Sequence, residues 1–247
     1  MKTYGLIGYP LEHSFSGKYF TEKFEKENIQ NCEYRLFPLE NIREFEDLKQ
    51  QEIAGLNVTI PYKEQVIPYL DELDEHANAI GAVNVIQFKN GKSKGYNSDY
   101  YGFKDSLLNF LPKEFSSKAL ILGTGGASKA IKQVLKDLSI PFKIVSRKEE
   151  FDFTYKELNS KPEILAGFHL IINTTPLGTF PKVEEKPNLP YKALRANHFL
   201  YDLVYNPSET AFMKAGASQG AKTINGLEML IGQAEKSWEI WNKNQAL

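Results

Sequence analysis

Strand-like apolar runs alternate with helical patterns along nearly the whole chain, and that alternation leaves few architectures open. The runs are YGLIG (residues 4–8), YRLFPL (34–39), IAGLNVTI (53–60), KALILGTG (118–125), FKIVS (142–146), HLIINTT (169–175) and HFLYDLVY (198–205). Between them GKYFTEKFEKENI, YKEQVIPYLDEL and KAIKQVLKDL carry apolar residues at helical spacing. This order favours an α/β protein with mostly parallel sheets. With 247 residues, 42% of them hydrophobic, the chain can bury one large core or two modest ones, so one or two domains are expected. There is no internal repeat and no low-complexity tract.

Charge and composition exclude several classes of function. Thirty basic residues face 31 acidic ones, with no long block of one sign, which argues against a nucleic-acid partner. The opening MKTYGLIGYP lacks the apolar core of a signal peptide, and no stretch approaches the roughly 18 apolar residues of a membrane span, so a cytoplasmic protein with no membrane partner is expected. Cys32 is the single cysteine, which rules out an internal disulfide and reads as a small buried apolar residue. The four histidines, at 13, 76, 169 and 198, show no metal-ligand spacing, and no metal is expected.

Lys63 stands just beyond the run LNVTIP, where a strand should end. Strand alternation sends Leu56, Val58 and Ile60 one way and Asn57 and Thr59 the other. Taken alone, Lys63 reads as surface charge. A partner is suggested by AVNVIQFKNGKSKGYNSD, where Asn90-Gly91 marks a two-residue hairpin turn. That register pairs Lys89 with Lys92 and, extended outward, sets Asn84 opposite Asn97 and Ala82 opposite Asp99, crowding Asn84, Asn97 and Asp99 on one face.

The stretch KALILGTGGASKAIKQVL reads as strand, glycine turn and helix. Gly123, Gly125 and Gly126 let a backbone approach a pyrophosphate, and the helix start offers unpaired N–H groups; Ser128 replaces the third glycine of the usual dinucleotide fingerprint. The next strand ends at Ser146-Arg147-Lys148, and an arginine there suits a 2′-phosphate, which favours NADP. Glu149 and Glu150 follow at once, so a strand ending later would return NAD as the candidate.

With these motifs in view, the chain resembles the shikimate dehydrogenase family from its first strand to its last helix. GYPLEHSFSG, NVTIPYK, GAVNV, GYNSDYYG, GTGGAS, SRK, INTTPLG, YDLVYNPSETAF and GLEMLIGQAEKSWEIW stand in the family's order. The resemblance implies Ser14, Ser16, Asn57, Thr59, Asn84, Tyr205 and Gln233 as substrate contacts, with Lys63 and Asp99 as the catalytic pair. It implies Gly123, Gly125, Gly126, Ala127, Ser146, Arg147, Lys148, Asn173, Thr174 and Gly226 around an NADP cofactor. It further implies an α/β substrate domain with a mostly parallel mixed sheet over 1–102, completed by a C-terminal helix 227–247, and a Rossmann-like NADP domain over 103–226. The active site is expected in the cleft between them. Gly17 for a proline, Ser98 for a threonine and Ser146 for an asparagine depart from the family pattern, and the short span from Arg147 to Leu170 suggests a trimmed helix.

The implied activity is reversible NADPH-dependent reduction of 3-dehydroshikimate to shikimate, a step toward chorismate and the aromatic amino acids, by a monomer or homodimer acting on a small molecule. A lysine is protonated at neutral pH, so Lys63 is a natural proton donor in the reducing direction. Two other readings stay open: an NAD(H)-dependent quinate/shikimate dehydrogenase, and a nucleotide-sensing binding protein without turnover. In the last helix Leu227, Leu230, Ile231, Ala234, Trp238 and Trp241 form an apolar stripe with Gln233 at its edge. Ser16 also suits a helix N-cap before GKYFTEKF, more so than Ser14, while His13 and Tyr205 read as packing or gate residues.

Overall fold

The structure is a computed structural model that describes residues 1–12 and 14–242. His13 and the expected helical residues 243–247 lie outside the described residues. The chain divides into two compact units, Met1–Tyr101 with the segment from Gln233, and Gly102–Gly232. The first division lies one residue from the boundary expected at 102/103; the second falls inside the last helix rather than before it.

The first unit runs β1 (Lys2–Gly8), α1 (Phe15–Lys26), β2 (Cys32–Pro38), α2 (Phe45–Lys49), β3 (Ile53–Val58), α3 (Tyr62–Gln65), β4 (Glu72–Leu73), α4 (Glu75–Ile80), β5 (Val85–Lys89) and β6 (Lys92–Tyr96), then enters α5 (Ser98–Phe110). Its sheet has the order β2-β1-β3-β5-β6-β4. β1 pairs parallel with β2 and β3, and β4 with β6, whereas β5 runs antiparallel to β3 and β6, giving the expected mixed sheet. Asn90 and Gly91 both have positive φ, the turn that matches strand twist, and Lys89 faces Lys92.

Three local expectations fail in this unit, each for an identifiable reason. YKEQVIPYLDEL is not one helix: α3 stops at Gln65, a 3-10 turn holds Ile67–Tyr69, and β4 follows, because Pro68 cannot continue an α-helical ladder. Ile60 is 73% exposed, since β3 ends at Val58 before the alternation reaches it. Cys32 is half-buried rather than buried, because β2 is an edge strand.

The second unit continues with β7 (Ala119–Leu122), α6 (Gly126–Asp137), β8 (Phe142–Ser146), β9 (Phe153–Thr154), α7 (Tyr155–Ser160), β10 (Leu170–Asn173), β11 (Phe199–Asp202), α8 (Ala211–Ala217), β12 (Lys222–Ile224) and the first turns of α9 (Leu227–Asn242). All neighbours are parallel in the order β12-β11-β10-β7-β8-β9. Counted within the unit this is 6-5-4-1-2-3, the doubly wound order of dinucleotide-binding sheets. β7, β10 and β11 are buried at every residue, as expected for strands covered on both faces. Between Arg147 and Leu170 the chain fits only β9, the six-residue α7 and a 3-10 turn.

In the first unit the far end of α9 completes an aromatic cluster. Trp241 lies 4.9 Å from Tyr4 and 5.3 Å from Phe20, and Phe20 stacks on Tyr34 at 4.7 Å. Ala234 and Trp241 are buried, whereas Leu227 and Ile231 at the start of the expected stripe are exposed. Lys23, 8% exposed as a residue, fastens α1 to α9: its ammonium reaches Glu27 at 2.7 Å and Glu235 at 2.8 Å. Burial opposes that charge, but the bonds to Glu235 and Glu27 prevail and hold the Lys23 pKa above its ordinary value.

Asp71 gives the first unit a pH dependence. Its carboxylate accepts the Ser93 N–H and hydroxyl, both at 2.7 Å, and those bonds hold its pKa below the usual carboxylate range. A depressed folded pKa contributes stability above the ordinary value of about 3.9, lost as pH falls through the folded pKa. Ser93→Ala is therefore expected to lower the melting temperature at pH 6 and to flatten its decline on acidification. An unchanged acid limb in a calorimetric pH series would count against that assignment.

Candidate active site

In the first unit α3 and α5 bring two opposite charges together. Lys63, in the single turn of α3, donates from Nζ to Asp99 Oδ2 at 2.7 Å, and both side chains stay partly exposed, at 28% and 17%. The Val83 N–H bonds the Lys63 carbonyl at 2.7 Å and ties α3 to the strand entering β5. The hairpin ladder does not supply Asp99. β6 ends at Tyr96, and Asp99 stands in the first turn of α5, so the expected face of Asn84, Asn97 and Asp99 does not form. Asn97 instead donates to the Ala82 carbonyl at 2.9 Å and accepts the Tyr100 N–H at 3.2 Å.

Behind the ion pair runs a buried hydrogen-bond chain. Asn57, 5% exposed, accepts the Tyr34 hydroxyl at 2.8 Å and donates to the Asn84 carbonyl at 3.3 Å and to Ser237 Oγ at 2.9 Å. Asn84, 3% exposed, accepts the Ser98 N–H at 2.6 Å and donates to Ser98 Oγ at 3.1 Å, so it caps α5 immediately before Asp99. The Ser98 hydroxyl reaches Gln233 Oε1 at 3.4 Å. Burial pushes the Tyr34 phenol well above its ordinary pKa, against a lowering influence of the nearby Ser16 hydroxyl.

Ser14, not Ser16, caps α1, with its Oγ accepting the Gly17 N–H at 3.4 Å. The helix begins at Phe15, earlier than GKYF suggests, which leaves Ser16 inside its first turn. Thr59 closes β3: its N–H bonds Ile7 and its carbonyl accepts the Tyr62 N–H, both at 2.9 Å. Tyr34, Ser98 and Ser237 were not marked as site residues by the motifs. A polar residue on the buried face of α9, four positions after Gln233, is the signal that could have found Ser237.

In the second unit the candidate site is the switch point between β7 and β10, where strand order reverses. Gly123 has φ +104°, which a residue with a side chain rarely adopts, and a Cβ there would meet Thr175 at 2.9 Å. Gly125 and Gly126 face open space, no side chain caps α6, and Ala127 follows in its first turn. A bare, twelve-residue helix start with room before it fits a dinucleotide pyrophosphate. The third-glycine position, Ser128, is buried and donates to the Gly125 carbonyl at 2.7 Å.

β8 ends at Ser146, so Arg147 and Lys148 are the first residues past the strand and Glu149 and Glu150 lie further on. Arg147 is exposed, Lys148 pairs with Glu150 at 3.4 Å, and Ser146 Oγ accepts the Lys148 N–H at 3.2 Å. Thr174 clamps β10 to β7 through two bonds to the Leu122 carbonyl, from its N–H at 2.9 Å and hydroxyl at 2.8 Å. Asn173 is fully buried, donating to Asp202 at 2.8 Å and accepting from the Thr175 N–H and hydroxyl. Burial pushes the Asp202 carboxyl upward against bonds from Thr210, Val204 and Asn173. Tyr205 is 40% exposed, and the Gly226 N–H bonds the Val204 carbonyl at 3.1 Å. Among the described residues no cluster of His, Cys, Asp or Glu could hold a metal ion, and no helix is long and apolar enough to cross a membrane.

A family model described as "Shikimate dehydrogenase substrate binding domain" matches residues 6–86, which include Ser14, Ser16, Asn57, Thr59, Lys63 and Asn84. The "Shikimate dehydrogenase (NADP(+))" of Clostridium beijerinckii is 42% identical over 99% of this chain and 93% of its own length. The chain belongs to the shikimate dehydrogenase family. Solved shikimate dehydrogenase structures agree in fold. A chorismate mutase/shikimate 5-dehydrogenase fusion protein from Clostridium acetobutylicum is 39% identical, with a TM-score of 0.87 over 98% of this chain and 91% of its own. The shikimate 5-dehydrogenase of Listeria monocytogenes, solved in complex with shikimate and NAD, is 27% identical, with a TM-score of 0.88 over 99% and 92% of the two chains.

Proposed function

We propose that this chain is an NADP-dependent shikimate dehydrogenase, an oxidoreductase that reversibly reduces the keto group of 3-dehydroshikimate to the hydroxyl of shikimate. The observation that carries the reading is the Lys63–Asp99 ion pair at 2.7 Å, set in the unit that the substrate-domain family model overlaps. NADPH, when bound, supplies the hydride. The other requirement of ketone reduction is one proton, delivered to the oxygen that becomes an alkoxide. Lys63 donates that proton from Nζ, and Asp99 holds the ammonium in place. In the oxidising direction the pair takes the proton back. Ser14, Ser16, Asn57, Thr59, Asn84 and Gln233 bind the carboxylate and hydroxyls of the substrate, with Tyr205 as a further contact.

In the second unit the turn from Gly123 to Ala127 receives the pyrophosphate, with Ser146, Asn173, Thr174 and Gly226 beside the cofactor. Arg147 and Lys148 meet the 2′-phosphate, an assignment supported by β8 ending at Ser146. Arg147→Ala is expected to raise KM for NADPH at least about tenfold, the loss of one charge-assisted hydrogen bond, and to leave KM for NADH unchanged. Equal effects on both cofactors would remove Arg147 from the phosphate site. The enzyme is read as cytoplasmic, as a monomer or homodimer, acting on a small molecule.

The direct test is NADPH oxidation by the purified chain with 3-dehydroshikimate, repeated with NADH. The NADH arm has its own motive, since the Listeria relative was solved with NAD. No turnover with either cofactor would sink the proposal, and a clear preference for NADH would move it to the NAD-dependent branch.

A further inference from the structure

Ser237 stands at the centre of the buried hydrogen-bond chain in the first unit. It is fully buried, four residues past Gln233 on α9, and its hydroxyl offers one proton and two lone-pair sites. The proton goes to the Gln233 carbonyl at 2.8 Å, the bond a helical serine makes one turn back. One lone pair takes Asn57 Nδ2 at 2.9 Å, and the other faces Ser98 Oγ at 3.3 Å. With the Ser237 proton committed, the single Ser98 proton is shared between two acceptors, Ser237 Oγ at 3.3 Å and Gln233 Oε1 at 3.4 Å. Ser98 itself accepts from Asn84 and directly precedes Asp99.

We propose that Ser237 is a positioning residue for substrate: it sets where the Asn57 amide stands relative to Asp99, and touches no reactant itself. This rests on the shikimate dehydrogenase reading. Every polar atom of this hydrogen-bond chain must find its partner inside the protein. Ser237 and Ser98 are at 0% exposure, Asn84 at 3% and Asn57 at 5%, so no water replaces a lost partner. Without the Ser237 oxygen, an Asn57 amide proton loses its acceptor and the amide must turn to find another, which also disturbs its bond from Tyr34. A shift of about an ångström in a positioning group costs up to 10²-fold in rate. A serine that merely satisfied its own helix would need only the Gln233 carbonyl, yet this one holds groups from β3 and α5 as well.

The test is steady-state shikimate oxidation by the full chain carrying Ser237→Ala, Ser237→Cys or Ser237→Thr, with Ser93→Ala as a control. Ser93 is a buried serine of the same unit whose hydroxyl bonds Asp71. Ser237→Ala and Ser237→Cys are expected to raise KM for shikimate about tenfold, leaving KM for NADP+ within about twofold, as the loss of one buried hydrogen bond predicts. Ser237→Thr, which keeps the hydroxyl, is expected to recover most of that loss. Ser93→Ala is expected to melt earlier with unchanged KM values. Should the alanine variant fail to fold, the cysteine variant, close to serine in volume, reads the same split. Wild-type KM for shikimate in the cysteine variant, or equal rises for both substrates, overturns the inference while leaving the enzyme's function standing. No turnover by the unaltered chain overturns the functional reading and this inference together.

Discussion

Lys63→Ala and Asp99→Ala are each expected to lower kcat for shikimate oxidation by at least about 10²-fold, the lower end for a positioned acid–base group, with a much smaller change in KM. The geometry separates this from a folding defect. Both side chains of the pair reach solvent, so the partner left behind can be hydrated, and a partly exposed ion pair contributes only about 0–1 kcal/mol to stability. Circular dichroism and melting temperature should therefore stay close to wild type while turnover falls. The two changes act on one proton-handling unit, so the double variant should be little slower than either single one. Near-wild-type kcat in either single variant would remove the pair from the chemistry.

Gly226→Ala is expected to destabilise the second unit by about 3 kcal/mol, at the upper end for overpacking. A Cβ at Gly226 would stand 2.2 Å from the Leu203 carbonyl oxygen and 2.7 Å from its carbon. Those are main-chain atoms, so no rotamer change relieves the clash. The Gly226 N–H also bonds the Val204 carbonyl, and moving the turn to make room breaks that bond. Thermal unfolding followed by circular dichroism measures the loss. A variant that melts like wild type but binds NADPH weakly would show that Gly226 matters as a cofactor contact rather than as a packing site.

What was legible in the sequence depended on whether the signal was periodic or three-dimensional. FKIVS coincides with β8, and KAIKQVLKDL lies within α6 apart from its last residue, because strand and helix there are bounded by glycine and polar residues. The parallel pairing of the second sheet agrees with the same alternation, whereas its strand order shows only in the fold. The hairpin register was correct at Lys89 and Lys92, yet its extension to Asp99 was not. Lys63 and Asp99 meet because α5 begins two residues after β6, a change of backbone direction that a two-residue period cannot express. The short strands β4, β9 and β12 carry no run long enough to register. Ser237 escaped because a helical serine is unremarkable until its neighbours are known. Asp202 escaped for the same reason, since only the fold shows that Asn173 and Thr210 converge on it.

The division inside α9 bears on how the chain is made. β1, α1 and β2 leave the ribosome first, but Trp241, which closes the aromatic face against Tyr4 and Phe20, emerges about 140 residues after Tyr101. At roughly 5–20 residues per second that is a delay on the order of ten seconds. Over that interval the second unit is completed while the first waits with Tyr4, Phe20, Phe24 and the Asn57 amide lacking their α9 partners. The part of the protein that begins first is finished last, and a nascent chain stalled before Gln233 would present that aromatic surface to any chaperone or neighbouring chain nearby.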